Sequence, residues 1–329
     1  MYSSVREASP RILVVRLGAM GDIIHTLPAV ASLKHSLPGS HITWAIAPQW
    51  APLLKGNVFV DRLILVERTS LAGLLRSRKE LRREPFHFAV DFQGLLKSAL
   101  VASVAGPDRI FGFGRSQVRE KPAALFYSSY ATPSSKHVVD RNLDLARAAG
   151  ASSLLYAFPL PPGEPEQPLP DKDFVLACPL AGWVSKQWPM ESYTHLARRL
   201  ERDLGMALVV NGPPSSEDVL GRIEGAWTHT SGLPGLIHAT RRAKAVVGVD
   251  SGPLHLAAAL NKPGVAIFGP TDPHRNGPYR SSLHMLRSPA AVTSYKRRAE
   301  IDESMRKVSV EDVFAALETQ LRPAREHQP

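Results

Sequence analysis

The chain has 329 residues, 44% of them hydrophobic and 21% charged, which is typical of a globular protein large enough for two domains. Its single cysteine, Cys178, excludes an internal disulfide and argues against a cysteine-based metal site. No apolar run reaches the roughly 18 residues of a membrane span, and residues 1–10 lack the apolar core of a signal peptide. We therefore expect a protein kept in the reducing cytoplasm.

The net charge of +10 is concentrated in the first half of the chain. Residues 1–156 contain 20 Lys and Arg against 11 Asp and Glu, whereas residues 157–329 contain 20 against 19. This asymmetry indicates an anionic partner that is bound mainly by the first half, although the excess charge could serve solubility alone.

Strands and helices alternate between residues 11 and 150. Apolar, β-branched runs predict strands at 11–17, 41–47, 62–68, 87–92 and 109–114. Apolar residues at helical spacing predict helices over 22–37, 70–83, 93–106 and 138–150. The second of these helices combines an apolar side with a basic remainder, formed by Leu71, Leu74, Leu75 and Leu81 and by Arg76, Arg78, Lys79, Arg82 and Arg83.

The second half repeats this alternation after a proline-rich segment. Residues 157–173 contain six prolines and no apolar periodicity, which predicts a stiff linker. Strands are then predicted at 174–180, 206–212, 245–249 and 264–268, and helices at 190–205, 215–226, 253–260 and 309–321. The pattern predicts an α/β protein with two Rossmann-like, doubly wound domains that face a central cleft.

The turn after the first strand offers a carboxylate without a nucleotide signature. It lacks the Gly-Lys-Ser/Thr of a P-loop and has only Gly18 and Gly21 where a dinucleotide fingerprint needs three glycines. Asp22 either caps the first helix or acts as a general base, since a carboxylate is ionised at neutral pH.

Two turns of the second half carry groups that suit a phosphorylated ligand. Ala181 and Gly182 allow close approach of the backbone, Ser185 adds a hydroxyl, and Lys186 adds a cation, unless it is an ordinary surface lysine. Glu217, past the next strand, either binds a ribose hydroxyl or begins a helix.

Residues 245–273 predict a strand, a helix and a second strand. Asp250 falls at the carboxyl end of the first strand, where open α/β sheets bind ligands. Ser251 and Gly252 begin a helix whose free N–H groups suit an anion, although Asp250 could simply cap that helix. No His, Asp and Glu spacing resembles a metal site, and no G-x-S-x-G motif is present, so we predict neither a metal nor a serine hydrolase.

Taken together, four segments resemble the family 9 glycosyltransferases, the bacterial lipopolysaccharide heptosyltransferases. They are RLGAMGDIIHTLPA (16–29), AVDFQGLLKSA (89–99), SKQWP (185–189) and DSGPLHLAAALNKPGVAIFGPTDP (250–273). DFQGLLKSA (91–99) and REKPAALFY (119–127) are most similar to the type I heptosyltransferases, which transfer the first L-glycero-D-manno-heptose to a Kdo residue of Kdo2-lipid A.

The resemblance implies a GT-B fold and an inverting, metal-independent transferase. It places an acceptor-binding domain in 1–156, the linker in 157–173, a nucleotide-sugar donor domain in 174–308, and a closing helix and tail in 309–329. It also implies a role for each matching residue. Asp22 is the base, and Lys186 contacts the diphosphate of the donor. The donor motif comprises Asp250, Ser251, Gly252 and His255, and the anionic acceptor is bound by Arg119, Arg141 and, by a looser correspondence, Arg68.

The sequence departs from the family pattern at the donor site. Ala181 and Gly182 stand where some type I enzymes have two threonines, so diphosphate binding would rely on backbone N–H groups and Ser185. Ser251 replaces a usual threonine, and Glu217 is offset by about one residue from the ribose-binding acid of the family.

The resemblance further implies ADP-L-glycero-D-manno-heptose as the donor substrate, no separate cofactor, Kdo2-lipid A or a related anionic glycolipid as the acceptor, and no nucleic-acid partner. The enzyme would act peripherally on the cytoplasmic face of the inner membrane. The helix over 70–83 is the candidate contact with anionic lipid, unless it is only a solvated face. Two alternatives stay open: transfer of heptose or another sugar to a different surface glycan, and a non-catalytic sugar-nucleotide-binding protein.

Overall fold

The computed structural model describes residues 9–67 and 70–321, and Arg68 lies outside the described residues. By its contacts the chain divides into two compact units, Met1–Pro161 and Pro162–Pro329. Each unit contains one parallel sheet with helices packed on it, as the alternation of strands and helices predicts.

The first unit is built on a sheet of six parallel strands. These are β1 (Arg11–Val15), β2 (His41–Ile46), β3 (Arg62–Leu65), β4 (Phe88–Asp91), β5 (Arg109–Phe113) and β6 (Ser129–Ala131). Their order is β3-β2-β1-β4-β5-β6, and the buried central strands are continuous apolar runs because helices cover both faces. The order reverses between β1 and β4, so the carboxyl ends of these two strands form the switch point where such sheets bind ligands.

The helices of the first unit differ from prediction after the first strand. They are α1 (Met20–Ile24), α2 (Leu27–Ser36), α3 (Leu71–Leu81), α4 (Leu96–Val104) and α5 (Val138–Ala148). The single helix predicted over 22–37 is wrong, because Pro28 cannot donate the backbone hydrogen bond that a continuous helix requires there. Pro28 lies instead in the first turn of α2, where that bond is not needed.

The second unit repeats the topology of the first. Its strands are β7 (Phe174–Cys178), β8 (Ala207–Gly212), β9 (Trp227–Thr230), β10 (Ala245–Val249), β11 (Gly264–Phe268) and β12 (Leu283–Arg287). The order is β12-β11-β10-β7-β8-β9, again all parallel. The switch point of this sheet lies between β7 and β10.

The second unit has seven described helices, several of them short. They are α6 (Met190–Leu204), α7 (Glu217–Leu220), α8 (Leu233–Arg242), α9 (Gly252–Ala259), α10 (Pro273–Asn276), α11 (Glu303–Arg306) and α12 (Val310–Leu321). The helix predicted over 215–226 is wrong beyond Leu220, where the chain turns toward β9. Helix α12 packs on α6 and buries Val313, Phe314 and Leu317 in the core of this unit.

The proline-rich segment 157–173 forms neither helix nor strand, and its later part is bound along the second unit. The Glu166 carboxylate accepts hydrogen bonds from the backbone N–H groups of Gly232 and Gly235 and so caps α8. Gln167 exchanges hydrogen bonds with Thr230. In the part of the chain that the structure describes, no helix has both the length and the apolar character needed to cross a membrane.

Candidate active site

Asp22 lies at the switch point of the first sheet and is paired with two arginines. Its Oδ1 is 2.7 Å from Nη2 of Arg16, and its Oδ2 is 3.7 Å from Nη1 of Arg119. Arg16 is buried just beyond β1 and also donates to the carbonyl of Phe92, just beyond β4. This arginine therefore joins the two strand ends and orients a carboxylate whose side chain is still 31% exposed. The N-cap of α1 is Ala19, so the interpretation of Asp22 as a helix cap is wrong.

A cavity of about 300 Å³ opens beside Asp22. Arg119 and Lys97 bring two cations to it, Gln49 and Gln93 bring amides, and Trp50 contributes an indole. Gly18 is required here for space, because a Cβ at this position would lie 2.7 Å from Nε1 of Trp50. A polar cavity of this volume with two cations and an aromatic wall suits a small anionic ligand.

The loop that carries Gln93 into this cavity is held by a buried carboxylate. Asp91 accepts hydrogen bonds from the backbone N–H of Gln93 and from the hydroxyls of Ser98 and Tyr127, at 2.8 to 2.9 Å. Burial raises the pKa of Asp91, although these donors oppose the rise. Gln93 in turn accepts from the backbone N–H of Leu17 at 2.8 Å, which ties the loop to the end of β1.

The two described arginines predicted for acceptor binding have different positions. Arg119 lines the cavity beside Asp22. Arg141, in α5, donates to the carbonyl of Gln117 at 3.1 Å and lies over the ring of Phe113. Arg141 thus supports the turn that presents Arg119, and it is not among the residues that line the cavity.

Lys186 and Asp250 meet at the switch point of the second sheet. Lys186 follows β7 and Asp250 follows β10, and Nζ of the lysine lies 2.7 Å from Oδ2 of the carboxylate. Asp250 is 5% exposed, and Nε2 of His255 lies 3.6 Å from its other oxygen. Burial alone would raise the pKa of Asp250, but His255 and Lys186 outweigh that effect and hold this pKa below its usual value. Lys186 is therefore not an ordinary surface lysine, and Asp250 is not the cap of α9, whose N-cap is Ser251.

Two buried hydroxyl oxygens belong to residues next in sequence to this ion pair. Among residues 9–67 and 70–321, the Oγ atoms of Ser185 and Ser251 are buried without a hydrogen-bond partner, which is uncommon. Ser185 adjoins Lys186, and Ser251 precedes Gly252, the first residue of α9, whose free N–H groups also suit an anion. A Cβ at Gly182 would meet nothing within 4 Å, so the turn after β7 has open space. The carbonyl of Ala181 in this turn accepts from Gln187 at 3.3 Å.

Two other residues near this turn, Glu217 and Trp188, lie in different environments. Glu217 is exposed at the first residue of α7, at the carboxyl end of β8, which is the neighbour of β7. Trp188 is fully buried and donates to the carbonyl of Val308 at 2.9 Å, so it is a packing residue of the second unit.

The family model for glycosyltransferase family 9 (heptosyltransferase) matches residues 74–305 of this chain. The chain belongs to glycosyltransferase family 9. This glycosyltransferase is 31% identical over 300 residues to lipopolysaccharide heptosyltransferase 1 of Pseudomonas aeruginosa, over 84% of this chain and 83% of that protein. It is 28% identical over 304 residues to lipopolysaccharide heptosyltransferase 1 of Escherichia coli, over 85% of this chain and 94% of that one.

Solved structures confirm the GT-B fold class. Escherichia coli heptosyltransferase WaaC with ADP-2-deoxy-2-fluoro heptose matches 94% of this chain and 99% of that one, with 25% identity and a TM-score of 0.74. Escherichia coli ADP-heptose lps heptosyltransferase II matches 94% and 98%, with 22% identity and a TM-score of 0.76.

Sequence reasoning missed five polar or aromatic residues of the first site: Arg16, Gln49, Trp50, Gln93 and Lys97. Arg16 and Lys97 lie inside segments that carry the family resemblance, so their positions in those segments were a usable signal. In the described ranges 9–67 and 70–321, no group of three His, Cys, Asp or Glu side chains is placed to hold a metal ion.

Proposed function

We propose that this glycosyltransferase transfers L-glycero-D-manno-heptose from ADP-heptose to a Kdo residue of Kdo2-lipid A, with inversion at the anomeric carbon. The observation that carries the proposal is the Asp22 carboxylate, oriented by Arg16 and facing a cationic cavity of about 300 Å³. Asp22 takes the proton of the acceptor hydroxyl while that oxygen bonds to the anomeric carbon. The bond from this carbon to the diphosphate breaks, and ADP leaves.

The cavity of the first unit supports an acidic sugar as the acceptor. Kdo carries a carboxylate, and Lys97 and Arg119 provide cations that can bind it next to the base. Arg119 also lies 3.7 Å from Asp22, so a carboxylate bound by this arginine would lie next to the base. The basic excess of residues 1–156 is consistent with such an acceptor.

The edge of the second sheet supports a nucleoside diphosphate as the donor. Lys186, the hydroxyls of Ser185 and Ser251, and the first N–H groups of α9 supply donors for phosphate oxygens. We propose that these groups stabilise the charge that develops on departing ADP without a metal ion. His255 and Asp250 would then keep Lys186 in place.

The test is ADP release by the purified protein from ADP-L-glycero-D-manno-heptose, with and without deacylated Kdo2-lipid A. We expect release only when that acceptor is present. Donor binding without release on this acceptor, together with release on another surface glycan, would retain the family and overturn the acceptor. Donor binding without release on any acceptor would favour a non-catalytic binding protein.

We further propose that α3 binds the anionic surface of the inner leaflet, on the cytoplasmic side. Its buried face is Gly73, Ser77 and Leu81, whereas Leu71, Leu74 and Leu75 are 75%, 47% and 58% exposed. At 100° per residue, Arg78 lies on the same outward face as these leucines, and exposed Lys79 lies at the border of that face. An exposed apolar surface continued by cations suits the interface of an anionic bilayer.

Vesicle co-sedimentation tests this surface. We expect the protein to bind vesicles that contain phosphatidylglycerol more strongly than phosphatidylcholine vesicles, and the double variant Leu74→Gln/Leu75→Gln to lose most of this binding. Leu125→Gln is the matched control, because Leu125 is 80% exposed outside α3. Equal binding by both variants would exclude α3 as the contact.

A further inference from the structure

Residues 293–302 form a segment, called here the strap, that is fixed at both ends beside the switch point of the second sheet. At its start, the backbone N–H of Ser294 donates to the carbonyl of Pro270, just beyond β11, at 2.6 Å. At its end, the backbone N–H of Asp302 donates to the carbonyl of Ser185 at 3.2 Å. The strap therefore runs from the end of β11 to the turn that carries Lys186.

Side chains reinforce the first half of the strap. Nη2 of Arg287, at the end of β12, donates to Oγ1 of Thr293 at 3.0 Å. The guanidinium of Arg275, in α10, lies over the ring of Tyr295 with its Cζ 5.2 Å from the ring centroid. These contacts restrict the positions that the exposed side chains of residues 296–298 can adopt.

The strap presents a cation to the same tryptophan that contacts Lys186. Cζ of Arg297 lies 5.4 Å from the centroid of the Trp183 ring, and Nζ of Lys186 lies 4.4 Å from it. The two cations therefore lie within about 10 Å of each other. Arg298, the next residue, pairs instead with Asp302 at 3.7 Å.

A second cation at this edge would help to balance the charge of a diphosphate. Lys186 is already paired with Asp250 at 2.7 Å, so the two together contribute no net positive charge. A diphosphate leaving group carries several negative charges, and the hydroxyls of Ser185 and Ser251 are neutral. An additional guanidinium beside Lys186 would supply the missing charge and could bind two phosphate oxygens at once.

We propose that Arg297, held on Trp183 by the strap, is a second cation that binds the diphosphate of the nucleotide-sugar donor. This inference rests on the proposed function, because it assumes that the donor is a nucleoside diphosphate sugar. Arg297 binds the phosphate nearer the sugar together with Lys186, and Trp183 fixes the separation of the two cations.

Calorimetric titration of ADP and AMP tests this role. We expect Arg297→Ala to weaken ADP binding about tenfold, as for loss of a charge-assisted phosphate contact, and AMP binding by less than twofold. Arg298→Ala is the matched control and should leave both affinities unchanged. Trp183→Leu should also weaken ADP binding. The double variant Trp183→Leu/Arg297→Ala should bind ADP only slightly more weakly than Trp183→Leu alone, because both changes remove the placement of Arg297 on the Trp183 ring.

Three results would overturn the inference. They are unchanged ADP affinity in Arg297→Ala, equal losses for ADP and AMP, and a loss in Arg298→Ala as large as in Arg297→Ala. Failure of the unaltered protein to bind ADP would instead contradict the proposed function, and the inference with it. Circular dichroism of each variant checks that the second unit is folded.

Discussion

Replacement of Lys186 by Met should destabilise the second unit in a pH-dependent manner. In the unaltered protein, the attraction between the Lys186 ammonium and the Asp250 carboxylate at 2.7 Å is about 6 kcal/mol for an effective dielectric constant of 20, before the cost of desolvation is subtracted. Removal of one partner of a buried pair costs about 3–5 kcal/mol. Because the Lys186 side chain is 16% exposed, we expect the lower end, about 3 kcal/mol at pH 8.

The sign of the pH dependence follows from Asp250. Its pKa is held below the usual value in the folded protein, so the stabilisation is complete above about pH 4 and is lost as the pH falls through the folded pKa. Without Lys186, the pKa of the buried carboxyl rises and proton uptake relieves the unpaired charge. The loss in Lys186→Met should therefore be smaller at pH 5 than at pH 8.

Guanidinium unfolding at pH 5 and pH 8 measures this loss, and hydrogen exchange of the β10 amides reports the second unit separately. Lys244→Met is the control, because Lys244 is 56% exposed and pairs with Asp173 at 3.5 Å, so it should change stability by less than about 0.5 kcal/mol. The double variant Lys186→Met/Asp250→Asn should recover part of the loss. A loss of unfolding free energy below about 1 kcal/mol, or a loss that is equal at both pH values, would contradict a stabilising ion pair between Lys186 and Asp250.

Three further predictions concern the folds of the two units and the reaction. Tyr127→Phe should lower the free energy of unfolding by about 1–3 kcal/mol, because buried Asp91 loses a donor, whereas Tyr130→Phe, on a side chain 66% exposed, should have no effect on the thermal midpoint. Gly264→Ala should prevent folding of the second unit, since its Cβ would lie 1.9 Å from a backbone oxygen of β10; Gly182→Ala, in open space, should retain the circular dichroism spectrum. Excess EDTA should leave the rate of ADP release unchanged, and a loss restored by a divalent cation would contradict the metal-independent mechanism.

The sequence predicts secondary structure best for strands that are buried on both faces of a sheet, because such burial imposes a continuous apolar run. Strands β1 and β10 are buried apolar runs, and their positions follow directly from the sequence. Strands β9 and β12 lie at the sheet edges and are partly exposed, so their sequences lack such runs and they were not predicted. Helix α8 was also missed, since it begins Leu-Pro-Gly and its start is capped by Glu166, 66 residues earlier than Gly232.

In the two candidate sites, likewise, some residues could be predicted from the sequence and others are revealed only by the fold. Asp22, Lys186 and Asp250 were predicted because each follows an apolar strand, and strand ends at a switch point collect ligand-binding groups. Their partners could not be predicted from spacing, because Lys186 and Asp250 are separated by 64 residues and meet only through the order of β7 and β10. Arg16 was missed for a related reason: a charged residue at the end of a strand predicts exposure, and only the fold shows that it is buried against Asp22.

The assignment of Asp22 as the base is tested most directly by Asp22→Asn, which retains the size of the side chain and removes its basicity. ADP release from ADP-heptose in the presence of deacylated Kdo2-lipid A is measured beside the affinity for ADP. We expect turnover to fall at least about 100-fold, as for loss of a general base, while the affinity for ADP changes by less than about twofold. Turnover within a few-fold of the unaltered enzyme would contradict the account.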